Sequence, residues 1–273
     1  MIVIVTDSSS YFRRSEAEKL GIRVIPINYC VDGQVFNESY SDGNGDFEGL
    51  LANGREHSTA HPNVSAYLSC FEEELRAKNQ VLCITISSRL SGAYGTADMA
   101  AQQAASPDVA VLDSQLTAGG LYLLVKEAAR LVAEGRGLEE ARQELIGIRE
   151  RITITFSVDD MEPLRKSGRI GFVRMNVSTF LNNRPILLCQ DGAVVSDGIA
   201  RGSTELVKAL TAKVDAGTKE VVLSYVGESR LTTTLYHVIQ ETYPAVTLTL
   251  QKIGPVLGIH LGIQVVAVST LRA

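Results

Sequence analysis

Thr59, Ser91, Arg169 and His260 are the residues of this chain best placed to do chemistry, because each stands at a strand end or beside glycine or proline. A serine and a histidine invite comparison with a nucleophile and its base. Ser91, however, lacks the G-x-S-x-G elbow, and no acid is assigned to orient the imidazole; Asp7 and Asp113 are the candidates by default. A serine hydrolase built on Ser91 and His260, or a phosphotransfer protein using His260, is therefore the enzymatic reading. A module that senses an acid ligand is the regulatory one. The glycine-rich loops match neither the Walker A pattern nor G-x-G-x-x-G. Cys30, Cys70, Cys83 and Cys189 are far apart, without C-x-x-C, and with the four histidines they form none of the usual zinc spacings. No metal site is expected, and the cysteines read as reduced core residues.

The element that must position Ser91 is the stretch from Val81 to Ala105. Val81 to Ile86 has the length and branching of a strand buried on both faces, and Ala97, Ala100, Ala101 and Ala104 recur at helical spacing. The hinge between them, Ser87-Ser88-Arg89-Leu90-Ser91-Gly92, leaves free N–H groups at a helix N-terminus, which favours an anion. Ser91 serves there either as the N-cap or as a direct donor, with Gly92 as the turn. Two further strand ends carry polar residues, Asp7-Ser8 after Ile2–Val5 and Asp113-Ser114 after Val109–Leu112. Ligands of open α/β sheets bind beyond the carboxyl ends of the strands, so one shared site is expected, with Asp7, Ser8, His61 and Ser88 as additional members.

Around these, Arg23 to Cys30 reads as a strand, and Asp46 and Asn63 read as helix caps, the second of a helix running to about Lys78. Pro62 keeps Thr59 to His61 in an extended loop. A strand with one wetter face opens a second unit near Arg151, and Ser167 to Gly171 forms a loop presenting Arg169. Asp191-Gly192 marks a hairpin between Pro185–Cys189 and Ala193–Ala200. Arg201 precedes a helix capped by Ser203, and Gly254 to Gly262 reads as a glycine-rich loop holding His260. The expected fold is α/β in two domains: residues 1–150 with a mainly parallel sheet flanked by helices, and residues 151–273 as a mixed α/β layer.

The 273 residues suffice for two cores at roughly 150 residues per domain. A formal charge of −5 without a basic block argues against nucleic acid as partner. No apolar run approaches the roughly 20 residues of a membrane span, so a transient contact with a membrane surface is the most that is expected. Met1 leads straight into Ile2-Val3-Ile4-Val5 without a leader pattern, which suggests a cytoplasmic protein.

The segments IVTDSSS, TAHP, SSRLSGAYGTA, VLDSQ, KSGRI, NRPILLCQDG, ARG and GPVLGIHLG, in this order from residue 4 to residue 262, resemble the motifs of the DegV family of bacterial fatty-acid-binding proteins. The resemblance extends over essentially the whole chain. It implies two α/β domains with one long-chain fatty acid between them and no cofactor. It also implies a carboxylate held by Thr59 and by Ser91 with Gly92, with Arg169 and His260 matching the family's arginine and histidine. Presentation of the fatty acid to a separate fatty acid kinase, which makes the acyl phosphate used in phospholipid synthesis, is implied as well, and Arg201 is assigned to the kinase-facing surface. The chain departs from the pattern in three places. TS-x-P is T-A-H-P, so Ala60 lacks a hydroxyl and His61 adds a ring; GGR is Ser167-Gly168-Arg169; and Ile263 and Gln264 follow where glycine and proline are expected.

Overall fold

Apolar runs too short for helices set the framework, and turn residues set where each run stops. The computed structural model describes residues 1–169 and 183–273. Strand β1 (Ile2–Asp7) leads through a short 3-10 turn to helix α1 (Arg14–Leu20), which Gly21 ends at φ 65°. Next come β2 (Ile22–Ile25), β3 (Ile27–Val31) and β4 (Gln34–Glu38). The single strand expected over Arg23 to Cys30 is thus two. Pro26 has no N–H with which to continue a ladder, and the chain changes sheets there.

Helix α2 (Phe47–Asn53) is capped by Asp46, whose side chain accepts from the Gly49 N–H; β5 (His57–Ala60) follows. Asn63 caps α3 (Val64–Arg76) by accepting from the Ala66 N–H. Then come β6 (Gln80–Thr85), α4 (Ala93–Ala104), β7 (Val109–Asp113), α5 (Ala118–Ala133) and α6 (Leu138–Arg149). The remainder comprises β8 (Ile152–Ser157), α7 (Glu162–Ser167), β9 (Asn183–Gln190), β10 (Ala193–Arg201), α8 (Gly202–Thr211), β11 (Thr218–Tyr225), α9 (Arg230–Thr242), β12 (Thr247–Lys252), α10 (Pro255–Leu261) and β13 (Val266–Arg272). The hairpin β9–β10 forms where expected, with Asp191 and Gly192 both at positive φ.

The fold is α/β, with a four-stranded parallel sheet in the order β2-β1-β6-β7 and a six-stranded mixed sheet in the order β10-β9-β8-β13-β11-β12. Within the mixed sheet only β11 and β12 run parallel. A third, antiparallel sheet, β4-β3-β5, was not expected. Its outer strands are short and exposed on most of their length, so they carry little of the apolar signal that marks a strand.

Helix α5 packs against both β1 and the strands β8, β11 and β13. A Cβ at Gly119 would stand 2.8 Å from Ser269 Oγ, and one at Gly120 would stand 2.6 Å from Ile154 Cδ1, so these two glycines let the helix lie directly on the mixed sheet. One hydrophobic cluster runs from Ile4 and Ile84 through Leu121 and Leu124 to Ile154 and Phe156. Each fully buried leucine there stabilises the fold by about 2–5 kcal/mol relative to alanine.

Candidate functional site: an apolar cavity with a polar mouth

Thr59 lies on β5, an edge strand paired with Tyr29, rather than in a loop. His260 likewise sits on an element the sequence conceals. Gly254 to Gly262 is read as a loop from its glycines, yet Pro255 to Leu261 is helical. Pro255 occupies the first helical position, where its missing N–H costs nothing. Gly258 is spent on a close approach, since a Cβ there would meet Leu51 at 3.2 Å, and Gly262 ends the helix at φ 80°.

Thr59 Oγ1 and His260 Nε2 are 2.8 Å apart. Burial, reinforced by the Arg169 charge, pushes the His260 imidazole down to about 4, so the ring is neutral at pH 7. Arg169 follows Gly168, which closes α7 in the left-handed conformation; the Gly171 side of the expected loop lies outside the described residues. The guanidinium donates from Nε to the Leu90 carbonyl at 3.3 Å and from Nη1 to the Ser167 carbonyl at 2.6 Å. Among the described residues two of its five N–H groups are thereby engaged.

Ser91 Oγ accepts from the Ala93 N–H at 3.3 Å, and its own proton is uncommitted among the described residues. Gly92 occupies the cap position of α4 and makes no side-chain cap bond. Ser91 is therefore not the N-cap expected from the sequence: it stands one residue before the cap, where its oxygen accepts from the first helical N–H. A Cβ at Gly92 would stand 2.7 Å from His61 Nε2, so the ring lies over the start of α4. Thr59 thus bonds His260, Arg169 reaches the Leu90 carbonyl, and Gly92 lies against His61.

Thr59, His61, Ser91, Gly92, Arg169 and His260 line a single cavity. Apart from Thr117, its remaining walls are apolar: Ile27, Ile86, Leu90, Ala118, Ile154, Phe156, Leu164, Cys189, Val194, Ile253, Val256, Leu257, Leu261, Val265 and Ala267. Thr59, Arg169 and His260 also border a polar surface depression with Arg55, His57, Asp160 and Lys166, so the polar edge of the cavity is its mouth. The apolar wall comes mainly from the mixed sheet and α10, which residue-by-residue reading of polar motifs does not reach. Thr117 and Cys189 were also missed; burial pushes the Cys189 thiol up to about 12, so it contributes as a small apolar group.

The structure does not bring Asp7, Ser8 and Ser88 to the cavity, a correction to the single shared site expected at the strand ends. Asp7 is fully buried, accepting from the Ile86 N–H at 2.7 Å and from Ser9 Oγ at 2.5 Å, which ties β1 to the end of β6. Ser8 Oγ donates to Glu38 at 3.0 Å, and Ser88 Oγ donates to Asp113 at 2.5 Å. Their polar atoms are consumed in holding strands together. Arg201 is exposed at the start of α8, and its backbone N–H donates to Glu205 Oε2 at 2.7 Å; it, not Ser203, is the cap residue. No ion pair of its side chain occurs among the described residues. Nε2 of His260 faces Thr59, and among the described residues no hydrogen bond joins it to Ser91.

Fold and site together define an α/β protein with two main sheets and an apolar cavity walled largely by the mixed sheet and α10, with a polar mouth. The DegV family model matches residues 1–273, and the chain belongs to the DegV family. A DegV domain-containing protein of Halalkalibacterium halodurans is 28% identical over 268 residues, covering 96% of this chain and 95% of that protein. A second, from Deinococcus radiodurans, is 30% identical over 78% of this chain and 76% of its own length. Among solved structures, a DegV family protein of Thermus thermophilus described for its fatty acid binding superimposes with a TM-score of 0.89 at 27% identity, covering 100% of this chain and 99% of that one. The Streptococcus pneumoniae Fatty Acid Kinase (Fak) B3 protein, loaded with linoleic acid, shares the fold with a TM-score of 0.84 at 21% identity, covering 100% of each chain.

Proposed function

We propose that this protein binds one long-chain fatty acid, with its carboxylate at the mouth and its chain in the apolar cavity, and presents it in the cytoplasm to a separate fatty acid kinase without catalysing a step itself. The observation that carries the reading is the convergence of Thr59, Ser91, Gly92, Arg169 and His260 on one edge of an otherwise apolar cavity. The fatty acid binding described for the Thermus relative supports it. In this reading residues 1–150 supply Thr59, Ser91 and the α4 N-terminus, while residues 151–273 supply Arg169, His260 and most of the chain's walls. Arg201 belongs to the surface that meets the kinase.

Neutral His260 gives the mouth its polarity. In the tautomer carrying the proton on Nε2, the ring donates to Thr59 Oγ1, which frees the threonine proton for the carboxylate. Ser91 adds a second hydroxyl, α4 adds the positive end of its dipole, and Arg169 adds the charge. Burial of about fourteen methylenes contributes on the order of 11 kcal/mol before ordering costs, so the chain dominates affinity and the head group fixes orientation.

Native mass spectrometry of the protein purified from cells tests the reading. A mass increment equal to a fatty acid, lost on organic extraction, is the expected result. A clean apoprotein that turns over simple esters would replace it with the hydrolase.

A further inference from the structure

We infer that Glu38, remote in sequence from every mouth residue, is a positioning residue that clasps the N-terminus of α10 and thereby sets where His260 stands against Thr59. Glu38 ends β4 and is 0% exposed. Its Oε2 accepts from the Val256 N–H at 2.9 Å, and its Oε1 accepts from Ser8 Oγ at 3.0 Å. The Tyr11 phenol also bonds Glu38, and its oxygen accepts from the Leu257 N–H at 3.3 Å. Two first-turn amides of α10, which no helix can satisfy internally, are thus taken by Glu38 and Tyr11. The approach is close enough to require glycine before the helix, because a Cβ at Gly254 would stand 2.4 Å from Glu38 Oε2.

A helix of seven residues has no independent stability, so its position is set by what grips it. Val256 lies one turn before His260, and Val256, Leu257, His260 and Leu261 all line the cavity. Ser8 Oγ also accepts from the N–H of Ile27, another cavity residue, so the clasp fastens two walls at once. The groups facing Glu38 are Tyr11, Tyr29 from β3, and Asp7 from β1. Burial, with the Asp7 charge adding to it, pushes the Glu38 carboxyl up to about 8.

The test follows the His260 ring by NMR through a pH titration of the full chain and, in parallel, the rate at which a fluorescent fatty acid leaves it. Glu38→Ala should raise the His260 midpoint from about 4 toward its ordinary value of 6.5 as α10 loosens, and speed dissociation about tenfold or more. Glu38→Gln, which keeps an acceptor for the Val256 N–H, should restore both to near wild type. Leu235→Ala, in the separate cluster under α9, is the control for general destabilisation and should move neither. If Glu38→Ala matches Leu235→Ala in both readouts, the clasp is overturned. Should Glu38→Ala not fold, Ser8→Ala must show a smaller shift in the same direction, and no shift overturns the inference. The dissociation arm alone rests on the fatty-acid reading. Wild-type protein that takes up no fatty acid refutes that reading, while the ring titration still decides the clasp.

Discussion

The cavity mouth and the buried cluster beneath it are made of the same residue types, hydroxyls and charged or titratable groups at the ends of strands and helices, yet they end in opposite conditions. In the cluster every contact closes on the protein itself: Asp7 on Ile86 and Ser9, Ser8 on Glu38 and Ile27, and Glu38 on Val256. At the mouth, among the described residues, Ser91 retains a proton, Arg169 retains N–H groups, and the Thr59–His260 pair can turn a hydroxyl outward. Residue type and strand-end position therefore do not make a binding site. What does is a donor left over once the fold's own acceptors are satisfied.

The comparison breaks most directly at Asp7. Asp7→Ala would strand the Ile86 N–H and the Ser9 hydroxyl in a fully buried place, and should cost about 2–4 kcal/mol of stability in urea denaturation. Ser91→Ala should leave the denaturation midpoint almost unchanged. It should weaken fatty-acid binding by about 1.5–3 kcal/mol, from a lost hydrogen bond to a charged group, while affinity for the matching fatty alcohol holds. If the alcohol suffers equally, Ser91 shapes the cavity and does not contact the head group.

The two regions should also fail at opposite ends of the pH scale. His260 is held below its ordinary value, at about 4, so between 6.5 and 4 the unfolded chain takes up the proton more readily. Its contribution is present above 6.5 and is lost as pH falls. Glu38 is held above its ordinary value, at about 8, so its contribution is complete below 4.5 and is lost as pH rises through 8. Thermal denaturation across pH should show both limbs, with His260→Gln flattening the acid one and Glu38→Gln the alkaline one. An acid limb unchanged in His260→Gln would mean that the ring is not buried as a neutral group.

How much of this was legible in the sequence follows from the range of the signals. Turn and cap chemistry acts over three or four residues, and there the reading holds for Asp46 and Asn63, which cap α2 and α3, and for Asp191-Gly192, which turns β9 into β10, though not for Ser203, since Arg201 caps α8. The parallel sheet was legible because β1 and β6 are continuous apolar runs. Helix α10 was not, since its glycines serve a tertiary approach to Leu51 and Glu38 that local propensity cannot anticipate. Thr59, Ser91, Arg169 and His260 were singled out residue by residue, and they line one cavity, but in the sequence only the family pattern gathered them. Glu38 was invisible because nothing near it in sequence marks its burial.

Arg201 belongs to neither region, and substituting it should have the smallest effect on the isolated protein. It is exposed, its side chain pairs with no carboxylate among the described residues, and only its backbone is engaged by Glu205. Arg201→Ala therefore should change neither bound fatty acid nor melting temperature, because exposed charges without partners contribute within about 0.5 kcal/mol. If Arg201 meets an anionic surface of the kinase, the variant should slow acyl-phosphate formation only when the kinase is present and limiting. The difference from wild type should narrow as salt rises, since the lost contact is itself screened over a Debye length of about 10 Å at 0.1 M. Equal rates at low salt would remove Arg201 from the partner surface.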